Sequence, residues 1–137
     1  MWPAVVHLTS RTVYPYGDSV QMIWANGWVA HAVTHFHNPF FSPNVMAPYG
    51  TNLLASPCAV GLAILLIPVT LLFGSVASFN IQLLFMPVVS AAAFFYAGRV
   101  LVPSRRALWL GGLVWGFSPF VMSSLNIGWT NVGYQFF

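Results

Sequence analysis

The sequence predicts an all-α integral membrane protein: an interfacial amphipathic helix followed by about three transmembrane helices. Three observations carry that expectation. Of 137 residues, 58% are hydrophobic and 4% charged, with a mean hydropathy of +0.78, whereas a soluble domain is usually about a quarter charged. No Asp, Glu, Lys or Arg occurs from Ser19 to Gly98, and none from Ala107 to Phe137. The uncharged part also divides into apolar runs of about the length that crosses a bilayer core. With so few charges a water-soluble fold could not cover its surface, so the bilayer is the expected partner.

The elements follow in order. The stretch "MWPAVVHLTSR" is interrupted by Pro3, His7 and Arg11, unlike the basic region and apolar core of a cleavable signal peptide. Targeting is therefore expected to rest on a later span. The region 1–57 is rich in aromatics, histidine, asparagine and proline, and its helix is expected over about 19–37, ahead of the break that Pro39 imposes. On a helical wheel Val20, Trp24, Trp28, His31 and His35 share one stripe; Met22, Ala25, Val29, Val33 and Phe36 form the other apolar face. Tryptophan and histidine rings suit the headgroup level of a bilayer, which places this helix in the interface plane. Pro39, Pro43, Pro48 and the Pro-Tyr-Gly turn then mark a structured loop.

Three spans are expected in region 58–137: about 58–74 with a kink at Pro68, 79–98, and 107–125, followed by a short aromatic tail. Gly112 and Gly116 stand four apart on the third span, a spacing that lets another helix approach closely.

Charge and cysteine content narrow the chemistry. A formal charge of +3 from four scattered arginines does not suggest nucleic-acid binding. One cysteine, Cys58, excludes an internal disulfide and a CxxC motif, and beside Pro57 it reads as a small buried hydrophobe.

The chain has a single acidic side chain, Asp18, in "VYPYGDSVQMIW". The pattern "GDSVQMIWANGWVAHAV…NPFFSPNVMAPYGTNL…IPVTLLFG", from Gly17 to Gly74, resembles the N-terminal region of actinobacterial C-type integral membrane glycosyltransferases (the GT-C superfamily). The resemblance rests on the ordered set of Asp18, Asn38-Pro39, Pro48 to Leu53, and Phe117-Ser118-Pro119, and it covers most of the chain. It implies a multi-pass protein of the cell membrane, with region 1–57 as the first extracytoplasmic loop. It also implies transfer of a sugar from a polyprenyl-phosphate donor to an acceptor outside the cytoplasm. By position Asp18 would be the catalytic base, taking the acceptor hydroxyl's proton, or would help hold a divalent cation; no other cofactor is implied.

The departures are as informative. C-type enzymes have about a dozen helices and a second acidic site, whereas this chain offers three expected spans and one carboxylate. The expectation is therefore a truncated fragment or subunit, with a helix missing ahead of Asp18, not active alone and needing partner membrane helices. The alternative is a non-enzymatic small multi-span protein that packs against a larger membrane complex through the glycine face of its third span.

Other readings of the same residues stand beside these. Asp18-Ser19-Val20-Gln21 has the spacing of a helix capping box. His31 and His35 lie four apart with His37 following, so a His-rich cation site is conceivable, although His37 should point away from the pair. A Ser-His-Asp hydrolase lacks its Gly-x-Ser-x-Gly elbow, and a transporter lacks intramembrane charge and paired broken helices. Orientation is contested. Arg99, Arg105 and Arg106 between the second and third spans should be cytoplasmic, and counting back two spans puts Asp18 there too, against the resemblance. The count changes if the 58–74 segment does not cross.

Overall fold

The computed structural model describes residues 6–12, 17–56 and 58–129. They are mostly helical: α1 (Asp18–Thr34), the two-residue strands β1 (Phe41–Ser42) and β2 (Thr51–Asn52), a 3₁₀ turn (Leu53–Ala55), α2 (Val60–Leu65), α3 (Ile67–Phe73), α4 (Ser75–Gly98), α5 (Arg105–Gly116) and α6 (Pro119–Ile127). Among the described residues two stretches are long and apolar enough to cross a membrane, Ser75–Gly98 and the α5–α6 stretch Arg105–Ile127. The first of the three expected spans, 58–74, is not among them. Contacts divide the chain into two compact units, Met1–Ile81 and Gln82–Phe137, so that α4 contributes to both.

In the first unit α1 packs on α2 and α3. Its inward face is Met22, Ala25, Val29, Ala30 and Ala32, with the small polar Ser19 and Asn26 also buried. This is the apolar face expected from the wheel only as far as Val29, because Val33 is 40% exposed and Phe36 98% exposed. Val29, Leu53, Val60 and Ala63 form one buried cluster, with Trp24, Trp28, Cys58 and Ile67 against it. Each large apolar side chain so buried contributes about 1.5–3 kcal/mol.

The segment 58–74 bends at Leu66, which closes α2 and opens α3 with φ −99° and ψ 11°. Pro68, in the first turn of α3, has no N–H to give to the preceding turn, which accounts for the interruption. Even straightened, Val60 to Phe73 would rise only about 20 Å, short of the ~30 Å hydrocarbon core. Counting apolar residues cannot detect such a bend.

The proline-rich loop is closed by its asparagines. Asn38 Oδ1 accepts from Phe40 N (2.9 Å), β1 pairs antiparallel with β2 (Phe41 opposite Asn52, Ser42 opposite Thr51), and Asn52 Oδ1 accepts from Leu54 N (3.0 Å) to cap the 3₁₀ turn. Gly50 is at φ 74°, and a side chain there would run into the Phe41 ring. That hairpin sets Leu53, 1% exposed, into the core. Elsewhere in this unit, Asn80 on α4 donates through Nδ2 to Leu8 O (2.8 Å) and Arg11 O (2.7 Å), fastening the 6–12 segment.

In the second unit the part of α4 from Gln82 onward packs against α5. Gly112 and Gly116 are buried in that contact: an added Cβ would lie 2.8 Å from Ala91 O at Gly112 and 2.7 Å from Ala91 Cβ at Gly116. The close approach expected at Gly112 and Gly116 is thus made by the chain's own α4. The expected span 107–125 is interrupted at Phe117-Ser118. Pro119 excludes Ser118 from the helical region, and Ser118 (ψ 153°) instead caps α6 through Oγ, which accepts from Val121 N at 3.4 Å. At the end of α4 the Arg99 guanidinium lies over Phe95 (5.2 Å) and Tyr96 (5.5 Å). Of the expected tail, 130–137 lies outside the described residues.

Candidate active site at the head of α1

Asp18 is the first residue inside α1, half-buried, at the end where backbone N–H groups are unpaired and a carboxylate is favoured by the helix dipole. It is not the cap. Gly17 holds that position at φ 60°, a conformation open to glycine, and makes no side-chain cap bond. Gln21, expected to reach back to the cap, instead donates through Nε2 to Ser56 Oγ, thirty-five residues on. The capping box is therefore replaced by a bond between α1 and the turn after the 3₁₀ segment. Nothing in the local sequence announces it, because Ser56 becomes a neighbour only when the hairpin delivers Leu53 to the core.

Ser56 Oγ also lies 3.6 Å from Cys58 Sγ, so Asp18, Gln21, Ser56 and Cys58 share one locality. Burial pushes the Cys58 thiol's pKa up, and the Asp18 charge adds to the rise, while the Ser56 hydroxyl and the Gln21 amide act the other way. A thiol held protonated is a poor nucleophile and a poor metal ligand, in keeping with a packing role. What remains chemically competent is the Asp18 carboxylate, held by a fixed helix end and able to accept a proton from a hydroxyl brought within about 3 Å.

The other end of α1 carries the histidines. Trp24 and Trp28 rings stack (6.1 Å, 7°), Trp28 meets His31 (5.9 Å), and His31 meets His35 (4.1 Å), so the expected stripe is a ladder of rings. His37 does not point away as the wheel suggested. The helix ends at Thr34, Phe36 adopts φ 58°, and the chain turns so that the His37 ring lies 6.4 Å from His31. A left-handed phenylalanine is rare enough that no sequence rule would have placed it there. Among the described residues no group of three His, Cys, Asp or Glu side chains converges to hold a metal ion. Asp18 is about 20 Å from His31 along the helix, at 1.5 Å per residue.

Compared with known protein families, curated proteins and solved structures, the chain has no match.

Proposed function

We propose that this chain is a multi-pass membrane component of a polyprenyl-phosphate-sugar-dependent glycosyltransferase, with Asp18 as the base that receives the acceptor hydroxyl's proton. The observation that carries the reading is that the motif residues serve one structure. Asp18 heads α1, Asn38 and Asn52 close the hairpin behind it, and Leu53 locks that hairpin against α1. A scattered coincidence of apolar runs would not be expected to converge in this way.

Membrane insertion is supported by what faces out. Val88, Leu110, Val114 and Phe120 are each at least half exposed, while Gln82, Ser90 and Ser124 are buried, a distribution suited to lipid. We take α4 and the α5–α6 stretch as the two crossings, with the α2–α3 pair too short to be a third. That choice removes the conflict over orientation. One crossing then separates Asp18 from the Arg99–Arg106 loop, so a cytoplasmic arginine loop puts Asp18 on the extracytoplasmic side, as the resemblance requires. The α1 helix then lies at that surface, tryptophans and histidines at headgroup level.

A single carboxylate and two crossings do not make a complete transferase, so further helices and a second acidic group must come from continuation of the gene or from a partner. The alternative, a non-enzymatic protein packing through its glycine face, loses support because α4 occupies that face. The test is transfer of labelled sugar from a polyprenyl-phosphate donor by membranes containing the full gene product or complex. Asp18→Asn should lower the rate by about 10²-fold or more, with the chain still inserted. Unchanged transfer would remove Asp18 from the chemistry.

A further inference from the structure

The turn that brings His37 back toward His31 also encloses a cleft of about 380 Å³. Trp28 and His31 of α1, His37 and Asn38 of the turn, and Phe41 and Asn44 of the hairpin line it. His35 stands beside it, against His31. No carboxylate and no guanidinium is in the lining, so each charge that arises there is imidazolium.

We propose that this cleft binds a phosphate ester, with the His31 and His37 imidazoles and the Asn38 and Asn44 carboxamides as N–H donors and the Trp28 and Phe41 rings as an apolar wall. Imidazole is the ordinary side chain that gains a proton between about pH 8 and pH 5. Two imidazoles with ring centres 6.4 Å apart and a third 4.1 Å from one of them repel one another once protonated. An anion seated among them turns that repulsion into attraction. The carbonyl end of α1, which would repel an anion, is covered. Thr34 Oγ1 donates to Ala30 O (2.8 Å), His37 N to Ala32 O (2.7 Å), and both His35 N (3.1 Å) and His35 Nδ1 (2.9 Å) to His31 O.

The phosphate could belong to a prenyl lipid or be free. Naming the lipid carrier as its source rests on the glycosyltransferase reading, whereas the cleft chemistry does not. The full chain in nanodiscs of uncharged phosphatidylcholine is titrated calorimetrically with farnesyl phosphate, inorganic phosphate and farnesol at about pH 8 and about pH 5.5. Farnesyl phosphate should bind about tenfold more tightly at the lower pH, and the double variant His31→Gln/His37→Gln should lose that gain. Asn44→Asp, which sets a carboxylate in the wall, should weaken binding at both pH values. Inorganic phosphate binding as tightly as the lipid would support the cleft and assign it free phosphate. Farnesol binding as tightly as farnesyl phosphate, or a pH gain that survives in a folded double variant, would overturn the proposal. The readout is binding without sugar transfer, so a negative result here and an unaffected Asp18→Asn transferase are separate failures.

Discussion

The two units both bury large side chains but differ in what else holds them. In Met1–Ile81, large side chains go inward and bonds between distant residues fix the loops: Leu53 and Phe79 are at most 1% exposed, Gln21 reaches Ser56, and Asn80 reaches Leu8 and Arg11. In Gln82–Phe137, Gly112 and Gly116 bring two helices close while Leu83, Met86, Leu108, Val121 and Leu125 go inward, and Trp109, Leu110, Leu113, Val114 and Phe117 are turned out. The first arrangement is that of a folded domain with its own core. The second has its own buried side chains, yet turns many of its other large apolar side chains outward. On the proposed function, the chemistry would belong to the unit that holds its loops at fixed positions and the anchorage to the other.

Five changes break or sharpen that contrast, and the largest effect is expected in the second unit. Paired Leu110→Asp and Val114→Asp should cost insertion about 5–7 kcal/mol, since each charge at mid-span costs about 2.5–3.5 kcal/mol, read by glycosylation mapping of an α5 reporter. Leu54→Asp, at an equally exposed position of the first unit, should leave insertion unchanged; equal losses would erase the distinction. Next, Leu53→Ala should lower stability in detergent by about 3 kcal/mol, the usual cost of emptying a well-packed leucine site. A near-neutral result would mean the hairpin does not lock α1. Gly116→Val should cost about 2 kcal/mol by forcing α5 off Ala91 and the Pro87 carbonyl. Gly111→Ala, which meets only the Phe94 ring, should cost less, and a reversed order would contradict the seam.

The smallest effect is a matter of rate. Because its pKa is raised, Cys58 stays a thiol at pH values where a free cysteine is partly thiolate, so maleimide labelling near neutral pH should be slower than for a cysteine in a flexible peptide. The sign for stability follows. A raised value means the folded state holds its proton more tightly, so that contribution is full below the ordinary thiol range and fades as pH climbs through the raised value. Asp18→Asn removes a charge that adds to the rise and should speed labelling slightly.

How much of this was legible in the sequence depended on the range of the interaction. Helical character and the place of α1 follow from composition and from Pro39, which are local. The predicted 19–37 overran the observed Asp18–Thr34 by a turn at its C-terminal end, because Thr34 and His35 cap the helix before the proline is reached. Gly112 and Gly116 announced a close helix contact, yet their spacing is silent about which helix comes. Asp18 was visible as the only acid, and Gln21 was misassigned because its partner is thirty-five positions away. His37 was misplaced for a different reason: its direction is set by the left-handed Phe36, a conformation the residue type does not favour.

The Asn80 bonds have a bearing on synthesis. Leu8 and Arg11 are translated before α4, and the carboxamide that donates to their carbonyls lies 72 and 69 positions later. That closure spans more than half the polypeptide, and contacts so far apart in sequence form slowly. The 6–12 segment therefore gains these bonds only after α4 has been translated.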